Sequence, residues 1–440
     1  MKLLRTLMIS TCFILLSSLS TLNADEWPEK LEGHGGPIKA ISISEDGKRA
    51  LTSSFDYSII YWDISSPEAK IIHRLQGHDA AVNDAIFIPK TDRAVSVSDD
   101  GSLGLWNLTK GELIKRINSS PHKVLDVVLS EDGKLAVASR WDKTARLYDL
   151  EKMQEIGIFT GHEHNVNSAL FAKDGKHLYT ASHDGIIIEW DLASRKMLRK
   201  VYDHGWGINS IAALDDDRLM YAALDGTVGI ISISQRKRLK LLYKSQHPIQ
   251  GLKLSHDGSL IGYGESTGKI SIHKTANLDD KERARVVFGP VWDFDYIPGT
   301  NQVFYVGLDD FARRWEISSK KLAKLTRPIV RRFQRDEKND IGKREFERKC
   351  SVCHTLEADG ANRAGPTLYK VFGREAGTLP GYLYSEALIK TDLIWNEETI
   401  GRLFDDGPDV VVPGTKMPIQ KVKSVSERDA LIRYLKEATN

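Results

Sequence analysis

The chain is poor in cysteine, with 3 in 440 residues, at Cys12, Cys350 and Cys353. Cys12 lies in an N-terminal stretch expected to be removed, so no disulfide framework is expected. Methionine is scarce too, with 6 residues, and Met417 stands alone in the last hundred. After His273 the only histidine is His354. A zinc site at Cys350 and Cys353 needs two further Cys or His ligands nearby, and the sequence offers none. Neither charge dominates: 62 basic residues face 60 acidic ones, a net charge of +2. Such a balance gives no reason to expect a nucleic-acid partner. Beyond the N-terminus no apolar run approaches membrane-spanning length. At 440 residues and 41% apolar composition, the chain is long enough for two or more domains with real cores.

The N-terminus carries what a secretory signal needs. Lys2 and Arg5 give a positive start, Thr6 to Leu19 an apolar and small-residue core, and Thr21-Leu22-Asn23-Ala24 a cleavage region. A signal peptide over 1–24 and a mature start near Asp25 are expected. A lipoprotein built on Cys12 is disfavoured by the short apolar run before it. The alternative to cleavage is a retained membrane anchor, the one route to membrane association.

A repeat follows. Gly33-His34 precedes Trp62-Asp63, Gly77-His78 precedes Trp106-Asn107, His122 precedes Tyr148-Asp149, and Gly161-His162 precedes Trp190-Asp191. Trp315-Glu316 lies three more periods on, with His204 and His247 continuing the His series and Ile231 and His273 at the Trp position. The period, about 40 to 45 residues, and the Gly-His…Trp-Asp signature resemble WD40 repeats. Seven units follow, each one four-stranded blade. Alternating segments such as Ile38-Lys39-Ala40-Ile41-Ser42-Ile43 and turns such as Glu45-Asp46-Gly47-Lys48 supply the strands. By that resemblance an Asp sits six residues before each Trp position: Asp56, Asp100, Asp142, Asp184, Asp225 and Asp309, with Thr267 the exception. The resemblance also implies a buried chain of Trp, a hydroxyl two residues before the Asp, the Asp and the His. It is complete as Trp62/Ser54/Asp56/His34, Trp106/Ser98/Asp100/His78 and Trp190/Ser182/Asp184/His162, partial at Tyr148 and Arg140, and mostly lost in the fifth and sixth units. These histidines are read as blade-building rather than metal-ligating. A convergence of His162-Glu163-His164 with His183 on one rim lacks any recognised metal spacing. Ring closure has two candidate strands, Glu26 to Glu32 and Lys320 to Thr326. The propeller is expected over 25–325.

Between 318 and 335 lie Lys320, Lys321, Lys324, Arg327, Arg331, Arg332 and Arg335 without an acidic residue. A solvated linker over 326–339 is the expectation, with a docking strip for an acidic partner or membrane surface as the sharper reading.

Cys350-Ser351-Val352-Cys353-His354 is the attachment signature of c-type haem. The spacing lets two thiols reach one porphyrin edge and sets an imidazole beneath the iron. Asp340 is placed to cap a helix into Cys350, and Ser424 and Glu427 have capping-box spacing ahead of a helix to Ala438. Met417 is the candidate sixth ligand, since no second histidine is at hand, with Lys416 and several tyrosines as weaker candidates. Residues 340–440 resemble a mitochondrial-type class I cytochrome c along almost their whole length. The matching runs include Gly365-Pro366-Thr367-Leu368, Phe372-Gly373-Arg374, Gly381-Tyr382-Leu383-Tyr384, Trp395 and Pro413-Gly414-Thr415-Lys416-Met417. The resemblance implies an all-α domain with one covalently bound haem c, axial ligands His354 and Met417, and attachment through Cys350 and Cys353. It further implies that Pro366 accepts from the His354 ring, that Arg374, Tyr384 and Trp395 hold the propionates, and that Thr415 braces the Met417 loop. Leu388 and Leu403 stand where the family has Asn and Tyr. Asp409 and Val410 replace two lysines of its usual docking ring, and Gly407 reads as an insertion. The c-type resemblance also implies attachment outside the cytoplasm, hence the periplasm.

The expected architecture is an all-β seven-bladed propeller followed by a small all-α class I cytochrome c domain. The expected role is one-electron transfer, more carrier than catalyst, with redox proteins as partners and the propeller as a protein docking scaffold. One alternative is an oxidoreductase whose propeller binds a substrate or second cofactor with the haem as outlet. Another is a scaffold whose binding follows the haem redox state.

Overall fold

A computed structural model describes residues 27–317 and 340–439, apart from 119, 352, 359–364, 381, 383, 416 and 418–420. The expected signal peptide, the basic strip and the linker lie outside the described residues.

Residues 30–316 form seven four-stranded antiparallel sheets arranged as a ring. The first sheet runs Ile38–Ile43, Arg49–Ser54, Ile59–Asp63 and Lys70–Leu75 from the inside outward. Its inner strands are largely buried, and its outermost strand is largely exposed along Lys70 and Ile71. That gradient is what stacking blades around an axis produces: the inner strands are covered on both faces and the outer strand on one. The register bears out the placement of the degenerate units. Trp62 lies opposite Ala50, Ile231 opposite Leu219, His273 opposite Ile261 and Trp315 opposite Val303, all at one position of the repeat.

Ring closure is resolved. Lys30–Glu32 pairs antiparallel with Phe311–Glu316, Leu31 facing Ala312, and supplies the fourth strand of the seventh sheet. Leu31 is fully buried among Ile38, Ile60, Trp62 and Ala312. The first and last blades are thereby bound by one chain segment, and the seventh sheet gains the four strands of the other six. The other candidate, Lys320 to Thr326, lies outside the described residues.

The buried hydrogen-bond chain differs from expectation in one member. Trp62 Nε1 donates to Thr52 Oγ1 at 2.8 Å, His34 Nε2 pairs with the same oxygen at 2.8 Å, and His34 Nδ1 meets Asp56 at 3.0 Å. The hydroxyl is four residues before the Asp, not two. Ser96 and Thr180 play the same part in the second and fourth blades, so Ser54, Ser98 and Ser182 are not the members. The reason is strand geometry. Trp62 stands opposite Ala50, so Thr52 is its diagonal neighbour, whereas Ser54 lies about 13 Å along the strand at about 3.3 Å per residue. Ser54 instead turns its hydroxyl to the Pro37 carbonyl and accepts from the Asp56 amide. Burial pushes the Asp56 carboxyl up, but His34, Ser58 and the Gly35 amide outweigh it and hold the group well below the usual range. In the third blade Arg140, fully buried, replaces the histidine chain by donating to the carbonyls of Gly101, Ser120 and His122. The fifth blade keeps His204 on Asp225 at 3.1 Å.

Among its described residues the C-terminal unit holds five helices: α1 (Ile341–Lys349), α2 (Glu386–Ile389), α3 (Glu397–Asp405), α4 (Pro408–Val411) and α5 (Val425–Ala438). Asp340 caps α1 by accepting from the Lys343 amide at 3.0 Å, and Ser424 caps α5 through the Glu427 amide at 3.4 Å. The two terminal helices pack on each other, and a Cβ on Gly342 would collide with the Ala430 carbonyl of α5. Glycine is therefore what lets the backbones approach. Phe346, Leu431 and Leu435 fill the crossing.

Replacing Thr52 with Val is expected to leave the Trp62 indole and the His34 ring short of a partner. The propeller should lose about 2–3 kcal/mol, read by urea unfolding followed through tryptophan fluorescence. Ser54→Ala should cost less, about 1–2 kcal/mol, because the Asp56 amide loses a partner while the turn keeps its other bonds.

Candidate functional site

The site is assembled where α1 ends. Cys350 is the C-cap of α1, its amide donating to Phe346 O at 2.8 Å. The chain then makes one more turn, with the amides of Cys353 and His354 both reaching Cys350 O, at 3.0 and 2.9 Å. That turn brings both sulfurs and the imidazole to one wall of a single cavity. The cavity opens to solvent and, counted with its open mouth, holds about 1130 Å³ of empty space.

Every residue expected at the site lines this cavity: Cys350, Cys353, His354, Pro366, Arg374, Tyr384, Trp395, Thr415 and Met417. His354 Nδ1 donates to the Pro366 carbonyl at 2.8 Å, which leaves Nε2 for a ligand. The ring lies flat against Gly365, where any Cβ would collide with it. Arg374 and Trp395 are tied by backbone bonds, Trp395 N to Arg374 O at 3.0 Å and Gly373 N to Trp395 O at 2.7 Å. Both terminal nitrogens of Arg374 donate to carbonyls, of Tyr369 at 3.2 Å and Thr367 at 2.8 Å. Burial lowers its guanidinium from the usual value, partly offset by Tyr384. Met417 enters from a loop in which its own amide donates to Thr415 Oγ1 at 3.3 Å and Thr415 N donates to Val412 O. Leu388, Leu403, Ile400, Phe404 and Leu435 make the rest largely apolar.

These residues fit a haem better than the competing chemistries. Cys350 and Cys353 form no disulfide. Burial pushes the Cys350 thiol up to about 12, the reverse of the lowered value that a redox Cys-x-x-Cys requires. Among the described residues no group of three Cys, His, Asp or Glu is placed to hold a metal ion. The same holds in the propeller, where His164 and His183 meet edge to face at 5.9 Å.

Two tyrosines of the cavity had no role assigned from the sequence. Tyr382 makes an edge contact with Tyr384 at 4.7 Å between ring centroids. Tyr57 comes from the propeller, yet it lines the same cavity. In the repeats it stands out only as an irregular turn. Tyr57 follows Asp56 in the turn where other blades place Gly101, Gly185, Gly226 and Gly268, and it shares their left-handed backbone, with φ 68°. A left-handed turn costs a non-glycine residue roughly 1–2 kcal/mol.

Comparison with known proteins agrees with the geometry. The family model for WD domain, G-beta repeat matches residues 28–63, 69–107, 111–149 and 153–191, and the model for cytochrome c matches 340–439. The chain is 38% identical over 94 residues to cytochrome c of Gibberella zeae, covering 21% of this chain and 88% of that protein. It is 44% identical over 100 residues to cytochrome c of Sesamum indicum, covering 22% and 87%. Cytochrome c of Euglena viridis is 40% identical over 95 residues, covering 22% and 91%. Fold and site thus define a haem-binding helical domain joined to a seven-bladed WD40 propeller. Through residues 340–439 the chain belongs to the cytochrome c family, with covalently bound haem c and haem-based electron transfer.

The propeller axis carries charge of its own. Asp84, Asp126, Lys253, Asp293 and Asp295 all stand on the innermost strands. Burial, then Asp126, pushes the Asp84 carboxyl well above the usual range; burial does the same to Asp126 and Asp293, against the pull of Lys253. Burial pulls the Lys253 ammonium down, but the carboxylates of Asp293, Asp295, Asp84 and Asp126 outweigh it and hold it above its usual value. A carboxyl raised in the fold contributes stability below its unfolded value of about 4, and loses it as pH rises through the raised folded value. Asp84→Asn should therefore stabilise the propeller by about 1–2 kcal/mol at alkaline pH and change little under acid conditions. The figure is discounted for the water that reaches the axis. Thermal melts across pH provide the check.

Proposed function

We propose that this protein is an exported one-electron carrier with His354 and Met417 as axial ligands and the propeller as a docking scaffold for its redox partners. One observation carries the proposal: the imidazole and the thioether line the same apolar cavity as both cysteines. Bound there, haem supplies a reversible ferric–ferrous couple, and a thioether ligand favours the ferrous state. Pro366 fixes the His354 tautomer by accepting from Nδ1, so that Nε2 is the ligating nitrogen. The Cys350 and Cys353 thiols add across the two vinyl groups, each S–H giving one C–S and one C–H bond, so attachment consumes no oxidant. Arg374, Tyr384 and Trp395 are assigned to the propionates, and Thr415 to bracing the Met417 loop. With both axial positions taken by side chains, the site suits electron transfer rather than substrate binding at iron.

The docking role is supported by one face of the propeller. The turns that hold Asp56 and Asp184 are bonded to the loops that hold His34 and His162, so these turns and loops share a face. Trp141 and Trp206 lie on it, 55% and 65% exposed, as aromatic anchors of protein interfaces often are. Export to the periplasm rests on the sequence of residues 1–24. Among the described residues no helix is long and apolar enough to cross a membrane. Association with a membrane is assigned only to a form that retains the N-terminal segment, and the N-terminal sequence of the mature protein distinguishes the two.

Met417→Ala is expected to abolish the weak near-infrared sulfur-to-iron absorption band and to lower the reduction potential. Absorption spectroscopy and a redox titration of the purified protein read both. An unchanged band would assign the sixth position to another residue.

A further inference from the structure

The turn that carries Tyr57 is the place where the propeller departs from its own pattern. Four blades put glycine after the turn Asp or its equivalent, as Gly101, Gly185, Gly226 and Gly268. In three of them a Cβ would collide with a carbonyl of the next interblade loop, that of Ser120, Ser245 or Val287. Blade one holds the same left-handed backbone with the bulkiest side chain of the series. Lys143, with φ 70° in blade three, is the other large residue there. A strained position of this kind persists only where the surroundings determine it, and an aromatic residue offers nothing to the turn itself.

What Tyr57 meets lies in the other domain. It lines the cavity that holds Cys353, His354 and Met417. Burial, then the nearby Cys353 sulfur, raises its phenol to about 12. From the opposite side, burial raises the Tyr382 phenol, with Cys353, Tyr384, Tyr57 and Asp79 adding to it. Asp79 belongs to the interblade loop that follows blade one, where Arg116 pairs with it at 2.7 Å. Tyr57 thus lines the haem cavity from the propeller side, and Asp79 of the adjoining loop is near enough to act on Tyr382 through its charge.

We propose that the propeller face bearing Tyr57 and Asp79 is the docking surface for the chain's own haem domain, with Tyr57 as the plug that covers the cavity mouth. The occupant is the part of the same molecule around Cys353 and Tyr382. Tyr57 acts as a positioning residue: it limits the approach of external reductants to the cavity and holds the haem domain over blades one and two. The inference rests on the cytochrome c domain and the cavity, not on the assignment of Met417 as sixth ligand.

The test uses the full-length holoprotein with the photo-crosslinking residue p-benzoylphenylalanine at position 57 or, as control, at position 143. Irradiation at position 57 should give crosslinks within the chain to the haem domain around Cys353 and Tyr382, mapped by mass spectrometry, and position 143 should give many-fold fewer. Equal yields at the two positions, or products only between chains, would overturn the proposal. A second measurement is independent of crosslinking. Tyr57→Gly should fold, since glycine occupies this turn in other blades, and ascorbate should reduce its haem several-fold faster than in the parent chain. Lys143→Gly should leave the rate unchanged. A parental rate in Tyr57→Gly sinks the plug. The near-infrared sulfur band, read on the same samples, reports the Met417 assignment separately, so failure of one reading is not mistaken for failure of the other.

Discussion

A four-stranded blade buries neither of its faces alone, so this propeller depends on its ring being closed. Closure falls to three residues, Lys30–Glu32, paired with the last sheet. Leu31, fully buried at the seam, joins the packing of Trp62 in blade one to that of Ala312 in blade seven. The buried hydrogen-bond chains then hold each blade's turn against the loop entering it. Thr52, His34 and Asp56 link two strands and a loop, and the same link recurs through Ser96 and Thr180. Because these links fix the turns, what the turns carry is presented rigidly. Tyr57 is carried by the turn that Asp56 locks, which is how an aromatic ring on a loop keeps a defined direction.

The haem domain relies on a different constraint, close approach. Gly342 lets α1 and α5 cross, and Gly365 lets the imidazole lie against the backbone. Neither glycine takes part in the chemistry. Both set where His354 Nε2 points, together with the Pro366 carbonyl that accepts from the other nitrogen. A side chain at position 365 would displace the ring. This division, with small residues placing the ligand and apolar residues excluding water, is what a covalent attachment motif cannot supply by itself.

Much of this was legible in the sequence, and the parts that were not have physical causes. The repeat markers are side chains whose role is fixed by position in a blade, so Trp62, Trp106, Tyr148 and Trp190 could be placed by counting. So could Ile231 and His273, once the period was known. The hydroxyl member of the buried chain was misplaced because Ser54 and Thr52 point to the same face of the strand. Only the distance along the strand separates them, and spacing in sequence does not show which one the indole reaches. The closing strand was ambiguous because a three-residue strand has too few residues to show a period. The haem cavity was legible nearly in full, since its residues come in short runs around Cys350, Pro366, Arg374 and Met417. Tyr57 was not, because it lies almost three hundred residues away in another domain and reads there as one more turn.

The proposed contact at Tyr57 has an energetic consequence for how such a carrier must be built. Two domains on one chain meet at an effective concentration on the order of millimolar. A plug with an intrinsic dissociation constant well below that value would stay closed, and an external partner would have to overcome the difference before reaching the haem. A carrier therefore needs a plug that is weak in itself. A single aromatic side chain gains only about 1.5–3 kcal/mol on burial, too little to keep the mouth closed by itself at that effective concentration, so the backbone and side chains around Tyr57 must supply the rest of the contact. Asp79 adds a charged neighbour at the edge of the contact, where exposed charges contribute little. The strain at φ 68° does not oppose the contact, because the turn adopts that backbone whether or not the mouth is covered. Docking can then cover the mouth for most of the time while a partner still displaces the plug at modest cost, which is the balance an electron carrier with its own scaffold requires.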